Sequence, residues 1–89
     1  MVAWNVRFKK SSKKDSVLLK RAGLKSKTES ILTLLEENPF RVPPPCEKLI
    51  GDLRGFYSRR INRQHRVIFE VRPETREVVV LRMWSHYGN

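Results

Sequence analysis

The stretch GFYSRRINRQHRVIFEV, residues 55–71, decides the fold because it has the pattern of two strands joined by a tight turn. Residues 56–61 and 65–71 are rich in aromatic and β-branched side chains, and NRQ at 62–64 makes the connection. The stretch also holds Arg59, Arg60, Arg63, His65 and Arg66 within eight positions. Because like charges this close repel one another, we expect an anionic partner near this hairpin.

The segments on either side of the hairpin complete a small α+β domain. The predicted elements are a strand at 3–8, a helix from a cap near Ser11 or Ser12 to Gly23, a helix from Ser26 to Asn38, and strands at 56–61, 65–71 and 78–87. A stiff, proline-rich loop at 39–49 separates the second helix from the hairpin. The order β-α-α-β-β-β predicts a single domain, 1–89, in which two helices pack on one face of an antiparallel sheet.

Residue spacing predicts which side chains face the core. In the first helix the apolar positions are Val17, Leu18 and Ala22. In the second helix Ser26 and Glu29 have capping-box spacing, and the buried face is Thr28, Ile31, Leu32 and Leu35. In the last strand Leu81, Met83 and Ser85 are predicted to face the helices, and Arg82, Trp84 and His86 the open side. Arg60 and Arg66 flank the tight turn and are predicted to add to a basic cleft on that open side.

Charge is the main compositional signal. The chain has 89 residues with 19 Lys and Arg against 9 Asp and Glu, a net charge of +10. Such a field attracts polyanions, so nucleic acid is the first partner to consider, with an acidic protein or a merely soluble basic surface as alternatives. The lone Cys46 excludes an internal disulfide framework, and no stretch has the length and apolarity of a membrane span or signal peptide. We therefore expect a soluble, intracellular protein that does not bind membranes.

One set of side chains has the chemistry of metal-free RNA cleavage. That reaction needs a base for the 2′-OH, a cation beside the phosphorus and an acid for the departing 5′-oxygen; Glu47, Arg66 and His86 supply these groups. No metal site or cofactor is predicted, because one Cys and two His far apart in sequence lack metal-ligand spacing. Each residue also has a structural interpretation. Glu47 could be a solvated carboxylate, Arg66 a partner of Asp52, Glu70 or Glu77, His86 a tail residue, and Trp84 and Tyr87 packing residues.

The sequence LRGFYSRRINRQHRVIFEV at 53–71, followed by HY at 86–87, resembles the YoeB/Txe branch of the RelE-like bacterial toxins. The resemblance runs from Asn38 to Tyr87, and residues 1–37 match only as a compatible strand-helix-helix pattern. Where the family commonly has a lysine this chain has Ile50, and Gly88 and Asn89 extend past the closing tyrosine.

The resemblance implies a ribosome-dependent endoribonuclease that cuts mRNA in the A site and that an antitoxin holds inactive. It implies Glu47 as general base, Arg66 as electrostatic stabiliser, His86 as general acid and Tyr87 as a phosphate-orienting residue. The candidate substrate contacts are Arg59, Arg60, His65 and Trp84, and the lysine-rich cluster expected to dock on ribosomal RNA is Lys9, Lys10, Lys13, Lys14, Lys20 and Arg21.

The implied partners are mRNA, the ribosome and an acidic YefM/Axe-like antitoxin, with homodimerisation also open, in the bacterial cytoplasm. Two other functions compete with this interpretation. One is a gyrase-inhibiting toxin of the ParE type, which lacks the carboxylate, arginine and terminal histidine together. The other is a nucleic-acid-binding module without catalysis.

Overall fold

The computed structural model describes residues 3–84, which form two helices and five strands. The helices are α1 (Lys10–Arg21) and α2 (Lys25–Glu37), and the strands are β1 (Asn5–Phe8), β2 (Glu47–Lys48), β3 (Phe56–Arg60), β4 (Arg66–Arg72) and β5 (Glu77–Arg82). A single 3₁₀ turn, Gly51–Leu53, lies between β2 and β3. Neither helix in this part of the chain has the length and apolar character needed to cross a membrane.

The five strands form one sheet in the order β1-β5-β4-β3-β2. All neighbouring pairs are antiparallel except β1 and β5, which run parallel with Val6 opposite Val78. The predicted α+β class with two helices on the sheet is confirmed. The predicted element order lacks β2, which lies inside the predicted loop 39–49, and the sheet is mixed instead of antiparallel throughout. The difference has a topological reason. In sequence, both helices come between β1 and the other strands, and a long helical connection of this kind allows two strands to pair in parallel.

The core lies between the helices and one face of the sheet. Alternation along β4 places Val67 and Phe69 on this face, where Leu19 of α1 and Leu35 of α2 pack against them. The buried cluster also contains Ile61, Val78, Val80 and Met83. Because the side chains of a strand alternate, Arg66 lies on the opposite face, away from the helices.

The core-facing side of α1 differs from the predicted one. Val17 and Leu18 are exposed, as is Ala22, whereas Ser12, Asp15 and Leu19 are buried. The spacing of three and then four residues puts this second set on one side of the helix. The prediction for α1 was wrong because it followed hydrophobicity alone, and two of the three buried residues are polar.

The link between the helices fixes both of their ends. Gly23 has φ of +75°, as predicted for a C-terminal glycine, and the N–H groups of Gly23 and Leu24 donate to the carbonyls of Lys20 and Leu19 at 3.1 and 2.9 Å. This turn makes Leu24 the N-cap of α2 and leaves Ser26 inside the helix. The predicted capping box is therefore wrong, and in α1 the Ser12 hydroxyl donates to the Lys9 carbonyl instead of capping the helix.

The other end of α2 agrees with the sequence. Thr28 and Leu35 are buried and Ile31 and Leu32 half-buried, which confirms the predicted face. Asn38 is extended, with φ of −163°, so the helix ends at Glu37 before Pro39, as the restriction on residues preceding proline requires.

Strand β5 ends at Arg82, earlier than the predicted boundary at 87, and residues 85–87 lie outside the described part of the chain. Phe69 pairs with Val80 and Ile68 with Arg82, so Leu81 is an extra residue in the strand. Met83 is buried in the core as predicted, but the Arg82 guanidinium bonds to α1, and its predicted place in an open cleft is wrong.

Replacing Gly23 by Ala should lower the free energy of unfolding by about 1–2 kcal/mol, because a β-carbon is strained at positive φ. No atom lies within 4 Å of the added carbon, so the strain alone sets the loss. Gly23→Asn should cost less, since asparagine tolerates this conformation. Urea unfolding of the three proteins measures the difference, and equal stability of all three would contradict the assignment.

Candidate active site

Glu47 and Arg66, two of the four predicted catalytic residues, meet on the face of the sheet opposite the helices. Glu47 lies in the short edge strand β2 and pairs in register with Ser58 of β3. The Arg66 side chain extends from β4 towards them, with Nη1 3.1 Å from Glu47 Oε1 and 3.5 Å from Ser58 Oγ. Glu47 is therefore the ion-pair partner of Arg66; Glu70 pairs instead with Arg72.

The two members of this pair differ in their access to solvent. The side chain of Arg66 is 5% exposed and that of Glu47 is 50% exposed. A buried guanidinium is costly unless it is paired, so the carboxylate and the Ser58 hydroxyl stabilise the charge where it lies. The result is a fixed cation beneath a carboxylate that a solvent-borne molecule can reach.

His65, the residue directly before Arg66, packs against Trp84 of the segment after β5. Their rings stack with centroids 3.8 Å apart and an interplanar angle of 20°. His65 is buried at the β3–β4 turn, where its backbone N–H donates to the Asn62 side-chain oxygen at 2.8 Å. Trp84 is half-buried. One face of the indole is thus covered by the residue that directly precedes Arg66, and the predicted substrate contacts of His65 and Trp84 stay predictions.

Arg59 does not lie where a substrate contact would require it. Only 1% of the residue is exposed, and its guanidinium donates to the carbonyls of Pro39, Arg41 and Pro44 at 2.7, 2.7 and 2.9 Å. Burial lowers the pKa of this guanidinium from its ordinary value. The predicted substrate-binding role of Arg59 is therefore wrong, because it is on the helix side of β3 and holds the proline-rich loop to the sheet.

The remaining predicted cations are exposed. Arg60 is the register partner of Arg66 and shares its face of the sheet, and neither Arg60 nor Arg63 forms an ion pair within residues 3–84. The members of the predicted docking cluster are also solvent-exposed, on and beside α1: Lys9, Lys10, Lys13, Lys14, Lys20 and Arg21. Both groups can meet a polyanion without first breaking an ion pair to another described residue.

Asp15 is a buried charged residue of α1 that the sequence patterns did not single out. Its carboxylate accepts hydrogen bonds from Arg82 Nε and Nη2 at 2.9 and 3.2 Å, and from the N–H groups of Met83 and Trp84 at 2.9 and 3.2 Å. The available signal was a lone acidic residue in a lysine-rich helix, three residues from Ser12 and four from Leu19. That spacing places Asp15 on the buried side of α1.

His86 and Tyr87, the other two predicted catalytic residues, lie outside the described residues. The described part of the chain ends at Trp84, whose ring stacks on that of His65.

Several solved structures share this architecture. A YoeB/ParE toxin from Agrobacterium tumefaciens is 27% identical with a TM-score of 0.82, over 93% of this chain and 99% of that one. Staphylococcus aureus YoeB is 25% identical both in a YoeB–YefM complex (TM-score 0.78, 94% and 98% covered) and as a dimer (TM-score 0.79, 96% and 99% covered). The fold thus falls within the class of small α+β toxins of toxin–antitoxin systems.

The sequence comparison defines the family within that class. The model of the YoeB-like toxin of the bacterial type II toxin–antitoxin system matches residues 8–87. Toxin YoeB from Streptomyces coelicolor is 34% identical over 53 residues, a match that spans 60% of this chain and only 61% of that relative's length. The chain belongs to the family of YoeB-like toxins of bacterial type II toxin–antitoxin systems.

Replacing Arg59 by Lys should lower the free energy of unfolding by about 2 kcal/mol, because an ammonium cannot reproduce the fork that bonds three carbonyls. Chemical denaturation measures the change. The neighbouring Arg60→Lys is the matched control, since Arg60 is exposed, and its stability should stay within about 0.5 kcal/mol of the parent. Equal losses in the two variants would contradict the structural role of Arg59.

Asp15 should make the stability of the protein sensitive to acid. Burial alone would raise the pKa of Asp15, but the hydrogen bonds from Arg82, Met83 and Trp84 and the guanidinium charge hold it below its ordinary value. A carboxyl with a lowered folded-state pKa stabilises the protein above its unfolded pKa, about 3.9, and this contribution is lost as the pH falls through the folded value.

Asp15→Asn should therefore flatten the decline in unfolding free energy below about pH 4. Urea titrations between pH 2 and 7 measure the slope, with the exposed Asp52→Asn as control. A slope in Asp15→Asn as steep as in the parent would show that the carboxylate is not the responsible group.

Proposed function

We propose that this chain is an endoribonuclease that cleaves mRNA in the A site of the ribosome and so inhibits translation. The observation that carries the proposal is the contact between the half-exposed Glu47 carboxylate and the buried Arg66 guanidinium at 3.1 Å. A base and a cation so close together are what attack of a 2′-OH on the adjacent phosphate requires.

The proposed reaction needs no covalent enzyme intermediate. Glu47 takes the proton of the 2′-OH, the 2′-oxygen forms a bond to phosphorus, and the bond from phosphorus to the 5′-oxygen breaks. His86 gives a proton to that oxygen, so the products are a 2′,3′-cyclic phosphate and a 5′-hydroxyl. Arg66 faces the non-bridging oxygens, where negative charge increases in the transition state, and Tyr87 orients the phosphate.

We expect the arginine to contribute the larger share of the rate enhancement. An ionised glutamate is a weak base for an alcohol, and acid–base transfer is worth roughly 10²–10⁴-fold. The Arg66 guanidinium is buried and already oriented by Glu47 and Ser58, so it needs little reorganisation when the phosphate arrives. Its burial in a low-dielectric site also strengthens its attraction for the phosphate oxygens.

The exposed cations support a ribosomal site of action. The lysine-rich cluster of α1 can bind ribosomal RNA through its phosphates, while Arg60 and Arg63 lie beside the candidate active site. Staphylococcus aureus YoeB forms a toxin–antitoxin complex with YefM, and an acidic antitoxin of this chain would neutralise the same basic surface. Self-association, as in the dimer of that YoeB, is compatible with this proposal, which places the protein in the bacterial cytoplasm.

Glu47→Gln should reduce kcat on programmed ribosomes roughly 10²–10⁴-fold by removing the base. Arg66→Lys should reduce it roughly 10²–10³-fold, because lysine keeps the charge but not the fixed donors. Single-turnover cleavage of a 5′-labelled mRNA measures both rates, and end-group analysis identifies the cyclic phosphate.

Two controls are built into the same strands. Lys48 is adjacent to Glu47 but pairs with Tyr57 and points to the other side of β2, so Lys48→Gln should cleave at nearly the parent rate. Arg72 is exposed at the far end of β4, so Arg72→Lys is the control for Arg66→Lys. Full growth arrest by Glu47→Gln and Arg66→Lys without mRNA cleavage would instead indicate a non-catalytic toxin, such as a gyrase inhibitor.

A further inference from the structure

The side chain of Arg66 reaches Glu47 by passing over Ser58, the central residue of β3. Glu47 pairs with Ser58, and Ser58 pairs in turn with Ile68, two positions after Arg66 in β4. Because adjacent strands are about 5 Å apart, the backbones of β2 and β4 are roughly 10 Å apart across the sheet. The Nη1 atom of Arg66 lies 3.1 Å from Glu47 Oε1 and 3.5 Å from Ser58 Oγ, so the guanidinium spans the middle strand.

The space around Ser58 is filled. The residue is 1% exposed, and its neighbours Arg66 and Ile68, on the same face of the sheet, are 4% and 0% exposed. Packed protein interiors have few voids as large as a methyl group. A larger side chain at position 58 would therefore occupy the volume through which the Arg66 side chain passes.

Strand propensity does not explain a serine at this position. Buried strand positions favour β-branched residues, and β4 has Val67 and Ile68 at comparable depth. A small residue with a hydroxyl is suited instead to the contact that is observed, because it leaves room for the guanidinium and accepts a hydrogen bond from it.

The contacts of Arg66 also define which edge of its guanidinium is engaged. Both hydrogen bonds that this side chain makes within residues 3–84 come from Nη1, one to Glu47 and one to Ser58. The donors at Nε and Nη2 are not used by these two residues, and such a pair of parallel donors fits two oxygens of a phosphate. Glu47 and Ser58 together therefore fix the orientation of the fork.

We propose that Ser58 is a positioning residue whose small size and hydroxyl hold the Arg66 guanidinium beside Glu47 in the orientation that serves the scissile phosphate. The inference rests on the proposed function, in which Arg66 stabilises the charge of the transition state. Ser58 acts only through Arg66, which covers it. A misplacement of a reacting group by about 1 Å can reduce a rate by 10²-fold, so the fit at Ser58 should appear in kcat.

The first test compares Ser58→Val, Ser58→Ala and Ser12→Ala in single-turnover cleavage on programmed ribosomes. We expect Ser58→Val to lower kcat about 10–100-fold with KM nearly unchanged, because the added methyl groups displace the guanidinium while the exposed cations still bind RNA. Ser58→Ala keeps the space and loses only the acceptor, so kcat should fall about three- to tenfold. Ser12 is the matched control, since it is also a buried serine and its hydroxyl bonds within α1 to the Lys9 carbonyl. Its alanine variant should cleave at the parent rate.

A double-mutant cycle with Arg66→Met separates positioning of Arg66 from general damage to the sheet. If Ser58 acts through Arg66, the loss caused by Ser58→Val should shrink to within about threefold once the guanidinium is absent. Damage that does not involve Arg66 would multiply with the loss caused by Arg66→Met. A Ser58→Val loss that is equally large in both backgrounds would overturn the inference.

The remaining outcomes distinguish this inference from the proposed function. A parent protein that does not cleave mRNA, or an Arg66→Met variant with parental kcat, would overturn the proposed function and this inference with it. If the parent cleaves and Arg66→Met does not, a folded Ser58→Val with parental kcat overturns the inference alone. Chemical denaturation at the assay temperature shows whether each variant is folded. Should Ser58→Val be unfolded, Ser58→Ala decides, and a parental kcat in that variant overturns the inference.

Discussion

The burial of the Arg59 guanidinium is the constraint on which the arrangement of the candidate active site depends. A cation with 1% exposure needs compensation, and the carbonyls of Pro39, Arg41 and Pro44 provide it from the loop after α2. The loop is thereby held against β3, and Glu47 emerges from it three residues after Pro44. Strand β2 has only two residues, too few to fix a position by itself, so the carboxylate reaches Arg66 because the preceding loop is anchored.

The cations of the hairpin are separated by the geometry of the sheet. Arg59 and Arg60 are neighbours in sequence but point to opposite faces of β3, and Arg66 lies on the face of Arg60 with Glu47 as its partner. The mutual repulsion expected from the sequence is therefore reduced within the protein, by carbonyls around Arg59 and by a carboxylate beside Arg66. What remains for a polyanion is the exposed charge of Arg60 and Arg63, together with the cations of α1.

The sequence predicts those features that depend on local spacing and misses those that depend on a distant partner. The face of α2 and its end before Pro39 follow from the helical period and from proline sterics, and both are confirmed. The predicted face of α1 was wrong because Val17-Leu18-Leu19 is apolar at three consecutive positions. The burial of Asp15 is compensated by donors that are distant in sequence, from Arg82 at the end of β5 and from Met83 and Trp84 after it. Chemistry and resemblance put Glu47 and Arg66 in one catalytic set, although their direct ion pair was not predicted, and the loop contacts of Arg59 have no sequence signature.

Two segments with little regular structure are each anchored by a buried charged residue. Arg59 anchors the loop that ends at Glu47, and Asp15 anchors the residues that follow β5. All three of these bonds of Arg59 and two of the four bonds of Asp15 go to main-chain groups, which restrains the path of the chain. Buried charges are poor sources of net stability compared with apolar residues of similar size. Their presence at these two places is therefore better explained by the main-chain paths that they fix than by net stability of the fold.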